Sequence, residues 1–403
     1  MDDTFIPELL GTDGSFSSQW LSRFLERLSS RESDIQSFYG SLIKDKETLV
    51  YDITPLSPYS ELIEWLGYGY NQDGLDLPQV NLGLVFSTDR RIPIYYKLFP
   101  GSVNDVVTLK NLIVEMKSFG IKSYTFILDR GFYSEGNILE MLQEHIDFII
   151  LLPFTVKAGR QMIRENRDVM NPTNARRHNG RVYYVAEREH KFGDRTVYVY
   201  VLYDKRREGT ESTSFYNRLM DIENKLSGKR VWGNPTEALN LVAGKFRRYF
   251  DYRLDGDVLY VKRRGKAISQ AVNRFGKAIL LSSVKKDWGE VLSLYLERDD
   301  VEKEYLYLKR DLEVMPLRVR KIETRGLLFV FFVALIMRTL LLNRARDGKL
   351  LEKESIEDIL LEMGKLRVVN IANSWRLAEI TRKQRTCLEK MGIKVPIEPK
   401  HSY

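Results

Sequence analysis

The chain has 403 residues, 43% hydrophobic and 29% charged, and its 63 Lys and Arg against 55 Asp and Glu give a formal net charge of +8. These values exclude wholesale disorder and a single small core, and the basic surplus favours a polyanionic partner. The lone cysteine, Cys387, excludes a disulfide framework and a Cys-based zinc site and fits a reducing, cytoplasmic compartment.

Residues 1–47 read as a short helical N-terminal region. Its start, Met1-Asp2-Asp3-Thr4, lacks the basic-then-apolar pattern of a secretion signal. Phe16, Trp20, Phe24 and Leu28 recur every four residues, an apolar stripe expected to pack on a core. From residue 48 the pattern changes to strands. Thr48–Thr54 is β-rich and contains Asp52. Asn81–Ser87 and Ile92–Leu98 flank the polar turn Thr88-Asp89-Arg90-Arg91 and predict a hairpin. Asn104–Phe119 predicts a helix, Tyr124–Asp129 a strand, Glu135–Gln143 a helix and Phe148–Leu152 a strand. The order β, β-β, α, β, α, β is that of an RNase H-like α/β fold, a mixed sheet flanked by helices, with 48–154 as the first part of its core.

Residues 155–290 differ in texture and read as a β-rich, basic insertion domain. Strand-like pieces (Arg181–Ala186, Thr196–Tyr203, Val258–Val261) alternate with basic clusters such as Arg176-Arg177, Lys205-Arg206-Arg207 and Lys262-Arg263-Arg264. Helices are predicted at about 299–313, 323–344, 353–363 and 373–391, so that 291–345 closes the core and 346–403 forms a helical C-terminal region. Gly326–Met337 is apolar for only about a dozen residues before Arg338. That is short for a bilayer and reads as a buried core helix, with no membrane expected.

The chemistry is carried by three separated carboxylates. Asp52 sits late in its strand, and Asp129 ends the run Tyr124–Leu128 just before Arg130-Gly131-Phe132. Strand ends in open α/β sheets are where sites assemble. Glu302 lies in Tyr295-Leu296-Glu297-Arg298-Asp299-Asp300-Val301-Glu302, and Lys309 follows it by seven residues, giving Y-(2)-R-(3)-E-(6)-K. On a helix Lys309 shares the face of Glu302, as does Arg298 four residues before it. Glu302 admits a second reading, as the third residue of a capping box headed by Asp299. Carboxylate oxygens suit hard divalent cations, and two such ions about 4 Å apart stabilise both oxygens of an in-line phosphoryl displacement. Arg, Lys and Tyr nearby suit phosphate.

With these residues in place, the chain resembles the DDE transposases of bacterial and archaeal insertion sequences, in the group defined by that Tyr-Arg-Glu-Lys signature. Gly67-Tyr68-Gly69-Tyr70-Asn71-Gln72-Asp73-Gly74, Asp76-Leu77-Pro78-Gln79-Val80, Leu98-Phe99-Pro100-Gly101-Ser102-Val103-Asn104-Asp105 and Asp129-Arg130-Gly131-Phe132 are similar to stretches of that family. The resemblance implies that Asp52, Asp129 and Glu302 are catalytic and bind Mg²⁺ or Mn²⁺, two ions per active site. It implies that Tyr295, Arg298 and Lys309 contact DNA. Trp232 or Trp288 would stack on a flipped base. The implied partners are double-stranded DNA, both terminal inverted repeats and target, and a second copy in a dimer on paired ends. The implied location is the cytoplasm, at a prokaryotic nucleoid. Only 51 residues precede Asp52, without an evident helix-turn-helix, whereas relatives carry a sizeable N-terminal end-recognition domain. The implied activity is cutting of transposon ends and joining of the 3′-hydroxyl to target DNA. The alternatives are a metal-dependent nuclease from a truncated or repurposed element, and a non-catalytic regulator that binds transposon ends.

Overall fold

The structure, a computed structural model, describes residues 17–56, 80–307, 321–371 and 374–394. Lys309, Phe16 and the 67–79 part of the family-like stretches lie outside the described residues. The chain divides into two compact units, Met1–Ile127 with Glu297–Tyr403, and Leu128–Leu296.

The first unit opens with α1 (Ser18–Ser29) and α2 (Glu32–Leu42). Ser17 caps α1 by accepting the Trp20 N–H, relieving one of the orphan amides of a helix start. The apolar stripe of α1 departs from expectation. Trp20 and Phe24 stack on each other at 5.4 Å and remain exposed, and Leu25 is the residue that buries. Next come β1 (Glu47–Leu56), β2 (Val80–Ser87) and β3 (Ile92–Pro100), an antiparallel meander. Arg90, in the turn between β2 and β3, forms an ion pair with Glu47 at the start of β1. Asn104 caps α3 (Asp105–Ser118), and β4 (Tyr124–Leu128) follows. The strand order is β3-β2-β1-β4, so β1 and β4 are neighbours, as expected of an RNase H-like sheet. Every residue of β2 is buried, which fits its run of Val, Leu and Phe.

The second unit runs α4 (Glu135–Gln143), β5 (Asp147–Leu151), α5 (Lys157–Glu165), β6 (Ala175–His178), β7 (Arg181–Phe192), β8 (Arg195–Tyr203), α6 (Lys205–Leu226), β9 (Lys229–Arg230), α7 (Pro235–Ala243), β10 (Phe250–Asp255), β11 (Val258–Arg263), α8 (Gly265–Val272), β12 (Lys277–Ser282) and α9 (Trp288–Leu296). Its strands are ordered β5-β12-β8-β7-β6, and β9, β10 and β11 form a separate small sheet. The 155–290 segment, expected to be β-rich, is mixed, with helices as extensive as its strands. The longest, α6, begins at Lys205-Arg206-Arg207. Cations at a helix N-terminus oppose its dipole, and Asp204 offsets this by accepting the Arg206 and Arg207 amides. Two apolar clusters sit here. One packs Trp288 with Tyr183, Tyr200 and Leu280, and the other packs Phe215, Leu219 and Ile222 of α6 with Phe250 and Leu259.

The chain then returns to the first unit through α10 (Arg298–Leu306), α11 (Lys321–Asp347), α12 (Ile356–Met363), β13 (Val368–Ile371), β14 (Ser374–Leu377) and α13 (Arg382–Lys390). The helix expected over 373–391 begins only at Arg382, and Ser374–Leu377 before it is one strand of a hairpin. The β-branched residues Val368, Val369 and Ile371 pair with β14, and a Thr381–Gln384 capping box delays the helix to Arg382. Helix α11 outruns the dozen apolar residues read from sequence. By length and composition, Glu323–Asp347 is long and apolar enough to cross a membrane, with mean hydropathy 2.1 and 39% of its most apolar stretch buried. Its polar groups have partners inside the fold. Arg338 is buried and pairs with Glu357 of α12 at 2.9 Å, and the Gly326 N–H donates to Ser29 Oγ at 2.8 Å. A Cβ at Gly326 would lie 2.3 Å from the Leu25 carbonyl oxygen, so α11 and α1 cross at a distance only glycine allows.

Candidate active site

Asp52 is a half-buried residue of β1, paired in register with Leu84 of β2. The hydroxyl of Tyr305, on α10, bridges these two strands. It donates to the Asp52 carbonyl, has the Leu82 carbonyl at 3.3 Å, and accepts the Leu84 N–H at 3.1 Å. Burial, then the nearby Asp52 charge, holds the Tyr305 hydroxyl well above its ordinary pKa. A phenol kept neutral in this way remains a donor across the working pH range. Tyr305 and Val301 are the buried face of α10, and α10 packs on β1 through them.

Glu302 precedes Tyr305 by three residues on the same helix, so the exposed carboxylate and the buried ring are neighbours along it. The Glu302 side chain is 53% exposed and pairs with Arg298 Nη2 at 2.7 Å, whereas Arg298 is 15% exposed. Helix α10 starts at Arg298, so Asp299 lies inside the first turn and does not cap it. The Arg–Glu spacing of four is realised as an ion pair within the helix. Asp105, at the start of α3, belongs to the same surroundings, because its charge raises both Tyr305 and the buried Tyr51 behind burial as the leading cause.

In the second unit Asp129 follows β4 in extended conformation and leads into a tight turn over Arg130–Phe132. Its carboxylate accepts a hydrogen bond from the Tyr295 hydroxyl at 3.3 Å. Tyr295 stands in the last turn of α9 and packs against the cluster of Tyr183, Trp288 and Leu292. Tyr133, in the same turn region, is buried, and its hydroxyl is pushed up to about 12 by burial and the Glu135 charge.

The structure thus brings together Tyr295 with Asp129 and Arg298 with Glu302, and it ties the Glu302 helix to the Asp52 strand. Among the described residues no group of three or more His, Cys, Asp or Glu side chains is close enough to hold a metal ion. Lys309 lies outside the described residues. Of the two tryptophans expected to stack on a base, Trp288 is buried in its apolar cluster, while Trp232 is 82% exposed. Tyr305 was not foreseen. Its signal was its place at the third residue after Glu302 on the buried side of an otherwise charged helix.

The family model for the transposase DDE domain matches residues 43–245, just over half of the chain. No curated protein matches it. Among solved structures, the cryo-EM structure of a piggyBac transposase synaptic complex with hairpin DNA is similar at 9% identity and a TM-score of 0.38. That likeness covers 90% of this chain and 58% of the other.

Proposed function

Because the chain belongs to the transposase DDE-domain family, we propose that it cuts the ends of a mobile DNA element and joins the freed 3′-hydroxyl to target DNA. In this reading Asp52, Asp129 and Glu302 hold two Mg²⁺ or Mn²⁺ ions. The donor chemistry fits such ions, since three carboxylates without thiolate or imidazole are the set that hard cations take. Ions held there would supply Lewis acidity toward the attacking hydroxyl and neutralise charge at the scissile phosphate. The chain's own side chains do the positioning. Glu302 would be a ligand of such an ion, and Arg298 beside it would offer its planar fork to a phosphate. Tyr295 would donate to a phosphate oxygen, and Lys309 would add a point charge. Tyr305 keeps α10 seated on β1. DNA in duplex form, as element ends and as target, is the substrate, and two copies act on paired ends.

The observation that carries this reading is the Tyr305 bridge, which couples the backbone of Asp52 to the helix of Glu302. The experiment is cleavage of duplex carrying the DNA that flanks the gene, with Mg²⁺ or Mn²⁺ added. Asp52→Asn, Asp129→Asn and Glu302→Gln each remove one ligand charge at nearly constant shape. Each is expected to lower cleavage by several kcal/mol of barrier, on the order of 10³-fold, with DNA binding retained. Full cleavage in any one variant removes that residue from the ligand set. Cleavage without joining makes the protein a nuclease, and binding without cleavage makes it a regulator.

A further inference from the structure

An open cavity of about 720 Å³ lies wholly within the 128–296 unit, between α5 and the segment that joins α8 to β12. Arg160, Arg164, Arg167, Arg274 and Lys277 line it, and no carboxylate does. Arg160, Arg164 and Arg167 recur at spacings of four and three, so they stand on one face of α5 and its C-terminal extension. The position of that face is set by Gly159, where an added Cβ would lie 2.1 Å from the Pro153 carbonyl oxygen. Only a residue without a side chain lets α5 sit this close to Pro153 and Phe154, and Phe154 forms part of the cavity wall.

Five cations sharing one cavity repel one another, and among the described residues none of the five is ion-paired. Lys277 is half-buried, and burial lowers its pKa, so its ammonium sits where charge is penalised. The Lys262-Arg263-Arg264 cluster of the same unit is organised in the opposite way. Arg263 meets Glu223 with two hydrogen bonds, and Arg264 meets Asp251 at 2.6 Å. The chain neutralises one basic cluster internally and leaves the other for something from outside.

We propose that this cavity is a phosphate-binding site that seats consecutive phosphates of a DNA strand, apart from the carboxylates assigned to chemistry. A volume of about 720 Å³ exceeds what one phosphate fills, and five cations match a run of phosphodiesters rather than a single anion. Gln270 and Asn273 on the rim add neutral donors for phosphate or sugar oxygens. The choice of DNA as the polyanion rests on the transposase reading, whereas the phosphate chemistry does not.

The test is fluorescence anisotropy of a labelled 30-base-pair duplex over a salt series. The variants are Arg160→Gln/Arg164→Gln/Arg274→Gln and the control Arg263→Gln/Arg264→Gln. Each phosphate contact contributes about 0.9 to the slope of log affinity against log salt, so the triple variant is expected to lose about 2 to 3 units of slope and to bind at least about tenfold more weakly at low salt. The control is expected to keep the wild-type slope. An unchanged slope in a folded triple variant overturns the proposal. Should the triple variant not fold, Arg164→Glu alone changes one exposed side chain, and an unchanged slope there overturns it equally. Inorganic tripolyphosphate separates the two sources of phosphate. If it raises the wild-type melting temperature through these three arginines while the DNA slope stays constant, the cavity serves a small polyphosphate and the proposal fails. Metal-dependent cleavage by the wild-type protein is scored separately. Its loss with an intact slope effect removes the catalytic reading alone, and a flat slope with intact cleavage removes this site alone.

Discussion

Two tyrosines ten residues apart hold their candidate aspartates in different ways, each within its own unit. In the first unit the Tyr305 hydroxyl is buried and spends its hydrogen bonds on the backbone of β1 and β2. In the 128–296 unit Tyr295 is half-buried, and its hydroxyl bonds to the Asp129 carboxylate itself, at a longer 3.3 Å. A hydroxyl that satisfies buried backbone groups is structural, because removing it strands an amide in the interior. A hydroxyl on an accessible carboxylate is replaceable by water or by a ligand. The first anchor sets where a carboxylate is, and the second sets what its neighbour can be exchanged for.

The most severe way to break this contrast is Tyr305→Ala. It removes a ring that is 5% exposed, together with the bridge, and is expected to cost about 3–5 kcal/mol in urea unfolding. Tyr305→Phe keeps the ring and leaves the Leu84 N–H without its acceptor, which is expected to cost about 1–3 kcal/mol. If Tyr305→Phe unfolds at the wild-type urea midpoint, the bridge is not structural and the contrast collapses. Tyr295→Phe is the matching change in the second unit. It should shift stability by less than about 1 kcal/mol and instead lower strand transfer, read by comparing unfolding with joining assays. Arg298→Ala is expected to be as mild in stability, because its partner Glu302 is half exposed and solvent screens the pair, at about 0–1 kcal/mol.

A second contrast, between the paired and unpaired basic clusters, gives the smallest effect. Lys277 has a folded-state pKa below its ordinary value, from burial. Between the folded and unfolded pKa the unfolded chain holds more protons, so stability rises with pH through that window. Below the window both states are protonated, and the fold carries the full penalty of a buried charge. Lys277→Met is therefore expected to melt slightly higher than wild type at pH 7 and to lose that advantage toward pH 10, while binding DNA more weakly. A variant that melts lower at pH 7 would mean the ammonium is satisfied in the fold.

Local pattern reaches far in this chain, because β1 to β5 and the helices between them are decided within short windows. Alternation and β-branching mark the strands. Asn104 and Ser134 mark helix starts by capping, and Glu135–Gln143 forms a helix with the bounds its periodicity predicts. The pattern fails where distant partners decide. Trp20 and Phe24 have helical spacing, yet α1 is held by Leu25 against Gly326, a residue 301 positions away. The apolar run that ends at Arg338 looks short only until Glu357 is there to receive that guanidinium.

The sequence by itself determined the chemical inventory, namely three carboxylates at strand and helix positions, the Tyr-Arg-Glu-Lys spacing and an excess of cations. Those depend on residue type and on separations of a few residues. Only the tertiary structure decided which charges already have partners. Arg298 is committed to Glu302, Arg263 to Glu223 and Arg264 to Asp251, while the five cations around the α5 cavity are paired with nothing among the described residues. The physical reason is range. Helix and strand preferences act over one or two turns of chain. Charge pairing depends on distance in space, and Glu223 and Arg263 stand 40 residues apart in sequence.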